Sequence, residues 1–299
     1  MCGIAGLHVR DSALFPHLGR LLQGMLCQAA ERGTDAAGVG IYGDPRLTPA
    51  GRSTVCVLDV PVPAGQAAAL VDAAGEVGPV EAVAAGQTTV FTAPASPEVL
   101  EAAVRAAFPG VVVTSRGNSL AVLKGTGHPD DLARTFSLAD AQGWQGVAHT
   151  RMATESAVTS TGSHPFSVGP DQCLVHNGSF ANHATIRREL RAEGIAFDSD
   201  NDTEVGARFV AHQLAQGADV EKALRLLCER FDGFYTLVVT TGTSFAVVRD
   251  AIACKPAVVA ETDAWVAMAS EYRYLAGLPG VESARIFEPE PEVVYAWER

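Results

Sequence analysis

Met1-Cys2-Gly3-Ile4-Ala5-Gly6-Leu7-His8-Val9 opens the 299-residue chain, and from Cys2 to Val9 it is apolar and punctuated by glycine. Such a run reads as a buried strand. Chain ends fray unless they are tied into a sheet, so a strand this close to an end points to a role for that end. Cys2 names a candidate role. Once Met1 is removed, which a small second residue permits, Cys2 presents a thiol and a free α-amine on the same residue. Their ordinary pKa values, about 8.5 and about 7.7–8.0, are close enough for the amine to take the thiol proton at little cost. One residue then supplies both nucleophile and general base. The ordinary alternative for a lone cysteine is a small buried core residue.

Outward from this strand, Leu18, Leu21, Leu22, Met25, Leu26 and Ala29 recur at helical spacing and predict a helix over 14–30. The stretch 31–38 breaks that helix and leads into a short strand over 39–42. Residues 45–144 are rich in Ala, Val, Gly and Pro and poor in candidate catalytic side chains. Strands at 53–60, 111–115 and 119–123, with helices near 65–74, 97–107 and 129–137, read there as a small α+β insertion; one continuous domain is the alternative. Beyond it come a strand at 147–151, a polar loop through His164-Pro165-Phe166, and a strand at 173–176 ending at Asn177-Gly178. Helices follow at 182–193, 203–214 and 220–230, then a tail alternating with period two. Strands at both ends with helices between imply sheets packed together and covered by helices.

Composition narrows the function. Hydrophobic residues at 47% with 19% charged describe a globular chain. A formal net charge of −12 argues against nucleic acid or an anionic membrane as the main partner. The six cysteines form no CxxC pair, which speaks against a disulfide framework or a cysteine-held metal. Cys27, Cys173, Cys228 and Cys254 lie in apolar surroundings and read as core residues. No apolar run approaches the roughly 18 residues of a membrane span, and the start lacks a secretion signal. The expectation is a cytoplasmic chain. Without a phosphate-binding glycine loop or an iron–sulfur cysteine run, no cofactor is expected on it.

Five further motifs follow Cys2 in order. They are Arg32-Gly33-Thr34-Asp35 with Gly38, His149-Thr150-Arg151-Met152-Ala153-Thr154, His176-Asn177-Gly178, Ser199-Asp200-Asn201-Asp202-Thr203-Glu204, and Asp232-Gly233-Phe234-Tyr235. Each alone is weak. Together with Met1-Cys2-Gly3-Ile4-Ala5-Gly6 they resemble the class II (purF-type) glutamine amidotransferases, which are N-terminal-nucleophile hydrolases. The resemblance covers about 1–44 and 145–299 and leaves the insertion at 45–144 unexplained. It implies the α+β, four-layer αββα sandwich of that family, interrupted by the small α+β region.

The residues make physical sense in that setting. Asn177 offers a side-chain amide and Gly178 a backbone N–H to a developing oxyanion, and glycine suits a backbone that approaches substrate closely. Asn-Gly is also the signature of an ordinary tight turn. Glutamine is a zwitterion around an amide, so its pocket needs a cation and an anion away from the nucleophile. Arg151 suits the α-carboxylate, Thr154 adds a hydroxyl on that side, and Asp202 suits the α-ammonium, as its family counterpart does. A structural ion pair for Arg151 and a helix N-cap for Asp202 are the plainer alternatives. The family suggests that Arg32 and Gly33 shape the pocket near Cys2. It needs no catalytic histidine, so a Cys/His dyad through His149, His164 or His176 is disfavoured, and His176 is expected to orient the Asn177 loop.

Met152-Ala153-Thr154-Glu155-Ser156 looks like the separately encoded amidotransferase subunits of archaeal-type glutamate synthases, and equally like the amidotransferase-type subunit of N-methylglutamate synthase. That resemblance implies glutamine or glutamate as the small-molecule substrate. It further implies a glutamate synthase-like partner subunit carrying FMN and an iron–sulfur cluster, and a β-helix subunit. A second reading, a scaffold or regulatory subunit that kept the pocket but does little hydrolysis, draws its support from Glu155. Hydrolysis of some other amide fits Arg151 with Asp202 less well.

Overall fold

The computed structural model describes residues 2–152 and 158–299. Strands and helices are numbered here in chain order. The N-terminal strand β1 (Gly3–Val9) is buried along its whole length. Antiparallel β8 (Gln145–Arg151) places Gly3 opposite Thr150 and Ile4 opposite His149. On the other side, β13 (Trp265–Ala269) places Ala5 opposite Ala269. A strand paired on both edges has nowhere to fray. With β2 (Ala36–Tyr42), β7 (Leu120–Thr126), β12 (Val258–Glu261) and β14 (Arg285–Phe287), these strands form a seven-stranded sheet in the order β14-β12-β13-β1-β8-β2-β7.

Alternation along β1 sorts the molecule into layers. Ala5, Leu7 and Val9 point to one face and join Leu22 and Leu26 of α1 (Leu18–Ala29) and Leu132 of α4 (Pro129–Thr135) in an outer core. Ile4 points to the other face, where it meets Val147, Val175, Val238 and Phe245. The last three belong to a second sheet of β9 (Cys173–Phe180), β10 (Gly233–Thr240), β11 (Ser244–Arg249) and β15 (Tyr295–Glu298), in the order β15-β11-β10-β9. The outer face of that sheet is covered by α5 (His183–Ala192), α6 (Asp202–Ala215) and α7 (Val220–Arg230) through Ile186, Val205, Leu224 and Leu227. Helices, sheet, sheet and helices give the four-layer αββα sandwich that the family resemblance implies.

The stretch 45–144 divides. Residues 53–117 hold a third sheet of β3 (Ser53–Leu58), β4 (Glu81–Ala85), β5 (Thr88–Ala93) and β6 (Val113–Gly117), covered by α2 (Ala64–Ala74) and α3 (Pro97–Ala107) over a core of their own. β7 and α4 instead belong to the seven-stranded sheet and to the α1 layer, so the chain returns to the sandwich well before 144.

Three of the shifts from the expected bounds bear on the site. The first helix starts at Leu18 rather than Leu14, because Pro16 lies in a 3-10 turn over Ser12–His17 that Asp11 caps by accepting from Ala13 N. β2 starts at Ala36, three residues early, because small Ala36, Ala37 and Gly38 fit between β7 and β8. β9 does not stop at Asn177: it runs to Phe180, with Asn177 opposite Thr236 and Gly178 opposite Tyr235. The tight-turn reading of Asn177-Gly178 is therefore excluded.

Candidate active site

Cys2 precedes β1 by one residue, and its surroundings fix it from both sides. Arg32 Nε donates to the Cys2 carbonyl at 3.2 Å, while Arg32 Nη1 pairs with Glu271 Oε1 at 2.6 Å. Gly3 N donates to Thr150 Oγ1 at 3.2 Å, and that hydroxyl donates in turn to Ala29 O at 3.0 Å. Ile4 N donates to Ser270 Oγ at 3.0 Å. Cys2 itself is half-buried, and continuing the alternation by one residue directs it to the side of Ile4, toward the second sheet.

Gly33 is set by space. A Cβ there would lie 2.5 Å from the carbonyl carbon of Arg151, so only glycine lets the turn after α1 rest on the end of β8. Asp35 N donates to Arg151 O at 3.1 Å, and Arg151 Nη1 donates to Gly162 O at 2.8 Å. Asn201 Nδ2 donates to the same Gly162 carbonyl at 3.2 Å. Arg151 is thereby tied to the residue next to Asp202. Asp202 Oδ2 accepts from Phe180 N at 2.8 Å, which fastens the start of α6 to the end of β9. Asp202 is not the helix cap: that role belongs to Asn201, whose side chain accepts from Thr203 N at 2.8 Å. The Asp202 carboxylate is the first acidic group of the helix, placed at the positive end of its dipole.

Asn177 lies in the row of Val175, facing β1 across the gap between the sheets, and is buried. Its Nδ2 has no hydrogen-bond partner among the described residues. Leaving such a donor unpaired costs about 1–3 kcal/mol, and a preset donor without an acceptor is what stabilises an oxyanion when one forms. Gly178 follows at φ +147°, where a Cβ would lie 2.0 Å from Phe234 O. No other residue fits there without moving β10. Thr154 and Glu155 lie outside the described residues.

Three histidines bridge the sheets beside this group. The His149 and His164 rings stack at 4.0 Å, and His176 stacks on Phe180 at 4.4 Å. Thr203 Oγ1 stands 2.9 Å from both His164 Nε2 and His176 Nδ1. Burial, with neighbouring positive charge, pushes His149 down to about 3; burial takes His176 to about 4 and His164 well below its usual value. All three are neutral imidazoles in the fold, and among the described residues no hydrogen bond joins any of them to Cys2. Of the other thiols, burial pushes Cys27 and Cys173 up to about 12, which leaves them poor nucleophiles. Burial also raises Cys228. Cys254 is a correction: it is exposed, in the turn that follows β11.

Sequence reasoning gave no role to Thr150 and Thr203, although both lie within the quoted motifs, and passed over Ser270 and Glu271 beside Cys2 and Gly162 between the pocket segments. Their signal is weak because each acts through a partner far along the chain, up to 266 positions in the case of Ser270 and Ile4.

Glutamine phosphoribosylpyrophosphate amidotransferase from B. subtilis matches the fold with a TM-score of 0.61 at 16% identity, covering 99% of this chain and 49% of that one. The chain thus spans about half the length of that enzyme. Residues 149–277 match the family described as a glutamine amidotransferase domain. Over its full length the chain is 47% identical to the glutamine amidotransferase-like protein GlxB of Rhizobium meliloti, covering 98% of that protein. The chain belongs to the glutamine amidotransferase family and has the fold of the class II, N-terminal-nucleophile amidotransferases. It is also 29% identical to a putative glutamine amidotransferase of Methanothermobacter thermautotrophicus, with 91% of this chain and 92% of that one aligned.

Proposed function

We propose that this chain releases ammonia from glutamine through a thioester on Cys2 and works with a separate acceptor subunit. With Met1 removed, the Cys2 amine takes the thiol proton, and Sγ attacks the side-chain carbonyl carbon of glutamine. Asn177 Nδ2 and the Gly178 backbone N–H hold the oxyanion. The C–N bond then breaks as the proton passes to the departing nitrogen, and ammonia leaves. Water attacks the thioester, the C–S bond breaks, and glutamate and the free thiol are regenerated. Arg151 with Thr154 holds the α-carboxylate, Asp202 the α-ammonium, and Arg32 and Gly33 keep the pocket's shape. The observation that carries this reading is the buried, unpartnered amide of Asn177 facing the β1 end.

The acceptor we assign is a glutamate synthase-like subunit with FMN and an iron–sulfur cluster, accompanied by a β-helix subunit. The closest expectation is the amidotransferase-type subunit of N-methylglutamate synthase, where the same pocket serves exchange of ammonia for methylamine. Support comes from the segment 152–156, which resembles those subunits, and from a sequence without cofactor motifs of its own.

Intact mass after incubation with an electrophilic glutamine analogue tests the chemistry. Loss of Met1 with one adduct on Cys2, absent from the Cys2→Ala variant, supports it. A processed chain that takes no adduct, alone or within its complex, overturns it, and a retained Met1 favours the scaffold reading.

A further inference from the structure

Away from Cys2, the third sheet, β7 and the loop at 161–168 enclose a cavity of about 30 Å³ lined by Lys124, Thr161, Phe166, Ser167, Ser199 and Glu204. It adjoins a second cavity of about 80 Å³ that shares Ser167 and Asp198 and adds Arg105, Arg116 and Arg208. The carboxylates around both are already occupied. Glu204 accepts from Asp198 N, Ser199 N, Ser199 Oγ and Arg208. Asp198 pairs with Arg208, and Glu101 pairs with Arg105 and Arg116.

The donors are a different matter. Lys124 is only 3% exposed, and its ammonium lies 4.5 Å from the Phe166 ring centre. Among the described residues that ammonium makes no hydrogen bond or ion pair. Ser167 Oγ and Arg116 Nε are buried without a partner as well. Burial pushes the Lys124 amine down to about 8, against the pull of the Glu204 carboxylate, which lines the same cavity but is already bonded to Asp198 N, Ser199 and Arg208. Buried donors that lack acceptors call for an occupant that supplies acceptors.

We propose that the two cavities form a binding site for a small monocarboxylate, whose carboxylate oxygens accept from the unpartnered donors Lys124, Ser167 and Arg116. The inner volume, room for about two waters, limits the ligand to a few heavy atoms. The site is wired to the candidate active site. Thr161 adjoins Gly162, whose carbonyl takes both Arg151 and Asn201, and Ser199 and Glu204 hold the segment that leads to Asp202. Occupancy therefore acts on glutamine affinity, given the roles proposed above for Arg151 and Asp202.

Acetate, exchanged against the bulky anion isethionate at constant ionic strength, tests the site through the thermal unfolding midpoint of the full chain. A saturable rise in wild type, at least tenfold weaker in its half-saturating concentration in Lys124→Met and weakened in Ser167→Ala, supports it. Should Lys124→Met fail to fold, Ser167→Ala decides. A rise that never saturates, or is the same in the variants, overturns the proposal. The same acetate should shift the glutamine KM several-fold with kcat within twofold. A saturable midpoint shift with KM unmoved supports the site and overturns its link to Arg151 and Asp202. The midpoint needs no glutaminase activity, so failure of the proposed reaction is distinguishable from failure of the site.

Discussion

Asn177 owes its chemistry to its place in a strand. Because β9 continues through Asn177-Gly178, the amide faces the gap between the sheets and not a turn's solvent side, and nothing among the described residues takes its Nδ2 protons. If that donor serves an oxyanion, it acts only in the transition state. Asn177→Ala should then lower glutaminase kcat by about 10²–10³ while leaving KM within a few-fold. A loss below tenfold in steady-state assays of the assembled enzyme removes Asn177 from the mechanism. At this scale Cys2, Arg32, Gly33, Arg151, Asn177 and Asp202 were legible as motif residues, and the fold sets Arg32 on the Cys2 carbonyl and joins Arg151 and Asn201 at the Gly162 carbonyl. The supports were not legible. Thr150 and Ser270 are ordinary hydroxyls until β8 and β13 bring them against the Gly3 and Ile4 amides. Cys254 misled because its apolar neighbours close a turn instead of lining a core.

Thr203, the second residue of α6, shows what elements add to residues. Its hydroxyl meets His164 from the loop and His176 from β9, so one side chain clasps the helix layer, the second sheet and the segment that carries Gly162. Thr203→Val keeps the shape and removes both bonds, leaving two buried ring nitrogens unpaired. At about 1–3 kcal/mol for each such group, the variant should lose at least about 2 kcal/mol in urea unfolding. Thr203→Ser, which restores the hydroxyl, should stay within about 1 kcal/mol of wild type. Equal midpoints for the two variants refute the clasp. The helices themselves were legible from their spacing, and α3, α6 and α7 fall within a residue of the expected bounds. Where reading failed, packing had overridden local signals: Ala36-Ala37-Gly38 look like a loop, yet their small size is what lets β2 fit between two neighbours.

For the whole molecule, strands at both ends with helices between them pointed only to packed sheets covered by helices; the αββα order was legible through the family resemblance, and the split of 45–144 through neither. β4 and β5 carry an exposed Ala- and Val-rich edge and a buried Thr-rich strand, patterns with no clear period, and β7 is assigned to the sandwich only by pairing with β2. The histidines at the junction of the layers give the fold a property that belongs to no single element. In the unfolded chain each titrates near 6.5, whereas the fold holds His149 near 3 and His176 near 4, with burial as the leading cause. Above pH 6.5 they are neutral in both states and stability does not depend on them. Below it the unfolded chain binds protons that the fold refuses, so stability falls until the pH reaches the folded values. The slope is on the order of 1 kcal/mol per pH unit for each histidine. Glu101 and Glu271, held low by their arginines despite partial burial, weaken the fold only at lower pH. The Lys124 amine, shifted to about 8 by burial, has finished titrating before pH 6.5. Urea midpoints should therefore decline between pH 6.5 and 5, and more gently in His149→Phe, which keeps a ring against His164 but has no proton to gain. Midpoints that stay level across that interval would mean that the three rings are not held neutral, and the buried bridge between the sheets would need a different account.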